Sequence, residues 1–423
     1  MKLKVSYSTI KESYIALVIF ATVLMSKTYY FGVANRSIFQ YVYYILAMGG
    51  VVIVGFSLRT VKKNILIVFI MLFLLGFNML FYLSEMTLIQ VNSVLGNMFL
   101  IISAAITSTY ISKRQFAFWY IKIIGALCII SLPFFLLANI APDLARTFFL
   151  PGYDWQVPVG YSMFYTWGWN GQIFPRNAGP FWEPGAFQGF IMVGILLLLF
   201  NVDNQRIKKR KMHLIILLFT LITTQSSTGY ILFVFILVTQ WSKIQRVFGD
   251  INKWIRFLAV FTLSVASLYI ILRSGNIIDK FTNVNNTNSA QKRFSDIMGG
   301  LSLIYRGGII GLGETMTRDR YKALVGIGTN DSVGLFSMTY TYGISFAIVY
   351  IFGLFRGLKK IFVFNKFMDK VVLLIIFIIL HLTEGLWWLP VYLIFIFLGE
   401  DEYISCGGRH LSNRKNFSPS EKI

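Results

Sequence analysis

The sequence predicts an all-α integral membrane protein, and three observations carry that reading. Hydrophobic residues make up 56% of the 423 and charged residues only 13%, with a mean hydropathy of +0.66; soluble domains carry about a quarter charged residues. The apolar residues fall in blocks, several reaching ~20 residues, the length that crosses a ~30 Å hydrocarbon core. The 39 Lys and Arg outnumber the 18 Asp and Glu, a net charge of +21, and they crowd between the blocks. Such a charge on a soluble chain would suggest nucleic acid. Here cytoplasmic loops that retain Lys and Arg account for it, and no nucleic-acid partner is expected.

The segments follow in order. Lys2, Lys4 and Lys11 precede an apolar stretch too long for a signal h-region and without a cleavage site, so it reads as the first membrane helix. Spans are expected over about 14–33, 38–57, 65–84, 88–110, 116–140 and 186–202, then a pair within 213–240, 257–272, 334–355, and a second pair within 371–398. The first pair lies between two basic clusters, Arg206 to Lys211 and Lys243 to Arg256. Two crossings keep both clusters on one side, with Gln225-Ser226-Ser227-Thr228-Gly229 as the outer turn. The second pair lies between Arg356 to Lys370 and Arg409 to Lys415, with Glu384-Gly385-Leu386-Trp387-Trp388 as its turn. Each arm is short, about 12 residues or ~18 Å, so these are short hairpins supported by neighbouring helices. The total is about 12 transmembrane segments in one polytopic domain over 1–400, with a cytoplasmic tail over 401–423 and both termini cytoplasmic.

Two long loops remain outside, about 141–185 and 273–333, and compact proteins rarely keep long loops without a use. The first holds six of the nine prolines, which favours an ordered course. It also holds Trp155, Trp167, Trp169 and Trp182, whose flat faces suit sugar rings. An aromatic belt at the bilayer interface is the alternative. The loop ends in Arg176-Asn177-Ala178-Gly179-Pro180-Phe181-Trp182-Glu183-Pro184-Gly185-Ala186-Phe187, with a carboxylate at the mouth of an apolar helix. Ionisable groups at membrane depth tend to be functional; the alternative for Glu183 is a helix cap. The second loop carries Arg273, Lys280, Lys292, Arg293, Arg306, Arg318, Arg320 and Lys322. Arginine's planar fork suits phosphate oxygens. Its many glycines allow close approach to a ligand or mark a flexible loop.

What is missing also narrows the chemistry. There is no P-loop pattern and no Asp-x-Asp pair, and His213, His381 and His410 are scattered. Cys128 and Cys406 are placed too far apart to pair. No metal and no cofactor are expected. If the chain is an enzyme, its donor arrives through the membrane with a built-in leaving group.

The stretch Arg176-x-x-Gly179-x-Phe181-x-Glu183-Pro184-Gly185-x-Phe187 resembles the signature of bacterial polysaccharide polymerases of the Wzy type, within the O-antigen ligase/polymerase superfamily. Thr223-Thr224-Gln225-Ser226-Ser227-Thr228-Gly229 is similar to that family's Ser/Thr-rich break, with Thr228 where Arg often stands. Gly311-Leu312-Gly313, followed by Thr329-Asn330-Asp331-Ser332 and Gly343, resembles its G-x-G…H-N…G pattern, with Thr329 in place of His. The missing His favours the polymerase branch over the ligases.

The resemblance implies a helical bundle with a periplasmic cavity in the bacterial inner membrane, and a metal-independent glycosyltransferase activity there. An undecaprenyl-pyrophosphate-linked oligosaccharide would donate its glycan to the sugar of an incoming lipid-linked repeat, in O-antigen or capsule synthesis. Membrane lipid, a chain-length regulator and a flippase are the implied partners. Arg176 with Arg293, Arg306, Arg318 and Arg320 would neutralise the leaving pyrophosphate. Glu183, or else Asp331, would activate the acceptor hydroxyl. Trp155, Trp167, Trp169, Trp182 and Asn330 would hold substrate. The rival readings are an O-antigen ligase, a flippase or transporter for lipid-linked sugars, and a structural or chain-length partner protein. The concentration of polar residues in two outer loops argues against the transporter, and the many spans argue against the chain-length partner.

Overall fold

The computed structural model describes residues 6–148, 150–151, 159–168, 176–200, 209–249, 254, 261, 265, 289–315, 334–364 and 366–398. The expected span 257–272, apart from two isolated residues, and the tail 401–423 lie outside the described residues.

The architecture is a helical membrane bundle. Its first five helices are α1 (Tyr7–Met25), α2 (Arg36–Ile53), α3 (Leu58–Phe81), α4 (Leu88–Tyr110) and α5 (Lys113–Ile140). Side chains at their starts set the boundaries. Ser6 caps α1 and Ser57 caps α3, while Thr87 with Gln90 and Ser112 with Gln115 form reciprocal capping boxes on α4 and α5. Hydropathy marks only the apolar part of each helix, and the caps lie outside it. This is why α3 begins at Leu58 and takes in Arg59, Lys62 and Lys63.

The segment after α5 holds a short helix α6 (Pro142–Thr147) and a small antiparallel sheet of β1 (Leu150–Pro151), β2 (Val159–Tyr161) and β3 (Thr166–Gly168), paired in chain order. This sheet is the departure from an all-helical fold among the described residues. Four helices follow: α7 (Pro184–Phe200), α8 (Arg210–Thr223), α9 (Ser227–Thr239) and α10 (Trp241–Phe248). The last four are α11 (Ser289–Gly307), α12 (Gly334–Ile361), α13 (Phe367–Thr383) and α14 (Pro390–Phe397).

Among the described residues six helices, α1 to α5 and α12, are long and apolar enough to cross a membrane; α9 with α10, bent by 84°, makes a seventh if taken as one span. The hairpin arms come out at 14, 13, 17 and 8 residues instead of a uniform 12. At 1.5 Å per residue α14 is only ~12 Å long. Every residue from Pro390 to Leu398 is buried, with α1, α4 and α12 packed around it. A helix that is apolar all round belongs inside; α7, buried from Ala186 to Phe200, is another. Phe116, Phe362, Phe377, Tyr392 and Phe395 pack edge to face or stacked at the centre of this core.

The segment before α12 is more structured than its sequence suggests. It contains α11, packed along α12, and a return segment, 308–315, that pairs with a break in α12.

Candidate functional site

A cavity of about 370 Å³ lies at the bundle end formed by the C-terminus of α1 and the N-termini of α2, α4 and α12. Small-molecule sites commonly begin at about this volume. Its polar lining includes Lys27, Arg36, Gln40, Ser93, Asn97 and Glu314; Tyr342, Trp387 and Trp388 supply rings.

Lys27 owes its position to the end of α1. The helix stops at Met25, so Lys27 does not sit within a span over 14–33 as the hydropathy predicts. Ser26 binds back to Thr22 O at 2.7 Å and accepts the Val391 N–H at 3.1 Å, joining α1 to the start of α14. Lys27 then turns left-handed, with φ +62, a conformation that costs a non-glycine residue roughly 1–2 kcal/mol. Thr28 and Tyr29 bridge to Phe181 and Pro180, the Tyr29 N–H donating at 2.7 Å. The ammonium of Lys27 lies 4.5 Å from the centre of the Trp182 ring and 3.5 Å from Gly385 O.

The 176–187 stretch thus touches the cavity through Trp182 and Lys27. Arg176, Asn177 and Phe181 tie the stretch to the bundle. Arg176 donates its Nε–H to Thr224 O at 3.1 Å, and Asn177 bonds Ser131 and Thr223 at 3.1 and 2.9 Å. Phe181 stacks on Phe190 at 4.2 Å. Glu183 is half-buried, and its carbonyl accepts from the Phe187 N–H, which makes it the first residue of the α7 turn, ahead of Pro184. A Cβ on Gly185 would fall 1.9 Å from Glu384 Oε1, so the Glu-Pro-Gly corner is where α7 meets the turn between α13 and α14.

Glu314 is placed by three glycines. Gly311 and Gly313 have φ +89 and +74, and Gly343 inside α12 has φ +90, all left-handed. The Leu312 and Gly313 N–H groups donate to Tyr340 O and Thr341 O at 2.7 and 2.9 Å, and Ile344 N–H donates to Gly308 O at 3.1 Å. The kink at Gly343 frees those carbonyls, and the return segment takes them up. Asn78 of α3 adds bonds to Ile310 O and Thr341 O at 2.7 and 3.1 Å, and Tyr82 reaches Gly311 O at 2.7 Å. A carboxylate is thereby fixed one residue past the second glycine. Tyr342 O–H donates to its Oε1, Ser93 Oγ lies 3.5 Å from the same oxygen, and Gln90 holds its carbonyl at 2.9 Å. Burial raises the proton affinity of Glu314 above that of an ordinary glutamate; the Tyr342 and Ser93 bonds and the Arg36 charge oppose the shift without cancelling it.

Trp387 and Trp388 have ring centres 4.2 Å apart and meet Tyr342 edge to face at 5.6 and 5.4 Å. The arrangement therefore offers two cations, one carboxylate of raised proton affinity and an aromatic wall. Among the described residues no group of three or more His, Cys, Asp or Glu could hold a metal ion.

Of the residues singled out from the sequence, Arg176, Trp182, Glu183 and Arg306 are described with their side chains, and none of the four lines this cavity. Trp167 lies in β3 and Arg293 in α11, their side chains outside the description, while Trp155, Trp169, Arg318, Arg320, Asn330 and Asp331 lie outside the described residues. Lys27, Arg36 and Glu314 went unnoticed. Lys27 and Glu314 left signals, a lysine interrupting the first apolar block and an acid directly after Gly311-Leu312-Gly313 in a basic loop, and Arg36 left none. No family model matches the chain, and no curated protein matches it in sequence.

Proposed function

We propose that this protein is a glycosyltransferase of the polysaccharide polymerase type, joining lipid-linked repeat units outside the inner membrane. The observation that carries the reading is the cavity in which Lys27 and Arg36 share a lining with Glu314 and the Trp387–Trp388 pair. The helix ends that line it are those that the charge distribution assigns to the periplasmic side.

A polyprenyl-pyrophosphate donor presents a sugar on a dianionic leaving group. Lys27 and Arg36 neutralise the charge that grows on the pyrophosphate oxygen as the bond from the anomeric carbon breaks. The acceptor hydroxyl oxygen forms the new bond to that carbon and gives its proton to the Glu314 carboxylate, which returns it to solvent. A base works best with a proton affinity near the operating pH, and burial moves Glu314 in that direction. Trp387 and Trp388 supply a face for a sugar ring. The loop arginines, Asp331 and Asn330 remain candidates for the same substrate, and Glu183, next to Trp182, is the second candidate for the base.

The test uses purified protein in proteoliposomes with an undecaprenyl-pyrophosphate-linked repeat. A polymer ladder with release of undecaprenyl pyrophosphate is expected; movement of the lipid without covalent product would make the protein a transporter. In a deletion strain, lipid core carrying one repeat without a ladder is expected, whereas accumulation of lipid-linked polymer would point to a ligase. Glu314→Gln and Glu183→Gln separate the two bases: normal polymerisation by a well-expressed Glu314→Gln protein would remove Glu314 from the mechanism.

A further inference from the structure

We propose that α11 is a lipid-facing helix, its stripe Met298, Leu301, Tyr305 and Ile309 lying against bilayer hydrocarbon although the sequence places it in a loop outside the membrane. One face of α11 is taken by protein. Gly299, Gly300 and Leu303 are buried there; a Cβ on Gly300 would fall 2.9 Å from Phe336 of α12, and Leu303 packs with Tyr340.

The remaining surface divides by chemistry. Met298, Leu301 and Tyr305 recur at steps of three and four, one line on the helix, and Ile309 follows in the turn just past its end; all are exposed, Tyr305 by 89% and Ile309 by 73%. Ser302 and Arg306, four residues apart, form an exposed polar line beside it. A helix wet on all its free sides has no reason to sort its residues this way; one lying along a membrane boundary does.

The occupant is identified by continuity. Ile309 O accepts the Ser345 hydroxyl at 2.8 Å and Gly308 O accepts the Ile344 N–H at 3.1 Å, so the stripe runs onto α12. There Ile344, Ile348 and Phe352 continue it at steps of four, Ile348 and Phe352 being 62% and 61% exposed along a candidate membrane span. One apolar line thus extends from the span to Met298, without a charged side chain in it. On this proposal the hydrocarbon that covers Phe352 and Ile348 extends along the line past the Gly343 kink to Tyr305 and Leu301. Because α11 leads within seven residues of Gly307 to Glu314, the carboxylate sits beside the membrane boundary.

The experiment places nitroxide labels one at a time on cysteines at Leu301 and Tyr305, with Ser302, Arg306 and Phe352 as references, in the full chain carrying Cys406→Ser and reconstituted in lipid nanodiscs. Collision with dissolved oxygen and with a water-soluble nickel chelate is read for each. All five positions are exposed, and gel filtration selects folded variants; labels at Met298 and Ile309 replace any that fail. Labels at 301 and 305 are expected to favour oxygen several-fold, as at 352, while 302 and 306 favour the chelate. Chelate preference at 301 and 305 would put α11 in water. Low access to both agents would mean a protein cover, and either result overturns the proposal. The readout does not involve activity, so it stands or falls apart from the proposed reaction.

Discussion

The two ends of the bundle use basic residues in opposite ways. At one end, cations close off backbone and carboxylate groups of the fold itself. Lys11 Nζ donates to Val54 O at 3.0 Å, Arg356 to Lys63 O at 2.7 Å and Arg210 to Leu198 O at 2.5 Å. Val54 is the residue that caps the C-terminus of α2 and Leu198 lies in the last turn of α7, where a cation also meets the negative end of the helix dipole. Lys243 is paired with Asp369 at 2.9 Å, their side chains 4% and 8% exposed. At the other end, Lys27 and Arg36 line a cavity together with Glu314 and paired tryptophans. The lesson is that a cation's use follows from what surrounds it. Those at the first end hold helices together, and those at the second line a cavity while touching its walls, Lys27 on the Trp182 ring and Arg36 acting on the Glu314 carboxylate.

That contrast can be broken experimentally. The largest effect is expected for Glu314→Gln, about 10²–10⁴-fold in polymerisation rate, with expression and folding retained. Its pH dependence sharpens the test. Burial raises the proton affinity of folded Glu314, so the fold binds that proton more tightly than the unfolded chain does. Its contribution to stability is then full below the ordinary glutamate range and is lost as pH rises through the raised folded value. Glu314→Gln is expected to flatten that fall in thermal unfolding scans, and the acid limb of the rate profile should disappear with it. A variant with an unchanged rate would make Glu314 a structural acid only.

Next in size is Asp369→Asn at the opposite end. Leaving Lys243 buried without its partner costs about 3–5 kcal/mol, read as a lower midpoint in thermal unfolding, while activity per folded molecule stays unchanged. The double replacement Lys243→Met with Asp369→Leu is expected to recover most of the loss. A drop in specific activity instead would show that the two ends are coupled. Arg36→Ala should reverse the pattern: little change in unfolding, but a loss of ~2–4 kcal/mol in transition-state stabilisation, measured as kcat/KM for the lipid-linked donor. The smallest effect is expected for Arg176→Ala. Its bond to Thr224 O makes it a brace for the turn between α8 and α9, so about 1 kcal/mol of stability goes and catalysis is spared. A catalytic loss as large as that of Arg36→Ala would move Arg176 into the site.

Much of this arrangement was legible in the chain. The breaks at Gln225-Ser226 and Glu384-Gly385 lie where polar residues interrupt apolar blocks, and the helices indeed end and restart there. Gly311, Gly313 and Gly343 stood out as a pattern, and the structure joins them into one interlocked turn. The Arg176 to Phe187 stretch was the most informative in the sequence, yet within the described structure it mainly anchors, with Trp182 as its link to the cavity. The motif lies at the same end of the bundle as the cavity; which side chains line that cavity was a separate matter.

The sequence by itself determined the membrane character, the long apolar helices in outline and the two hairpin breaks, because hydropathy and backbone preference act over one or two turns of chain. The tertiary structure alone decided the cavity. Lys27, Arg36, Asn97, Glu314 and Trp387 come from five separate segments, and no local preference fixes their meeting. It follows from packing between helices: a short buried α14 at the centre, a glycine kink in α12, and a left-handed turn at Lys27 held by the backbone of Pro180 and Phe181. Each rests on many weak contacts between distant segments, and their sum is a property of the folded molecule.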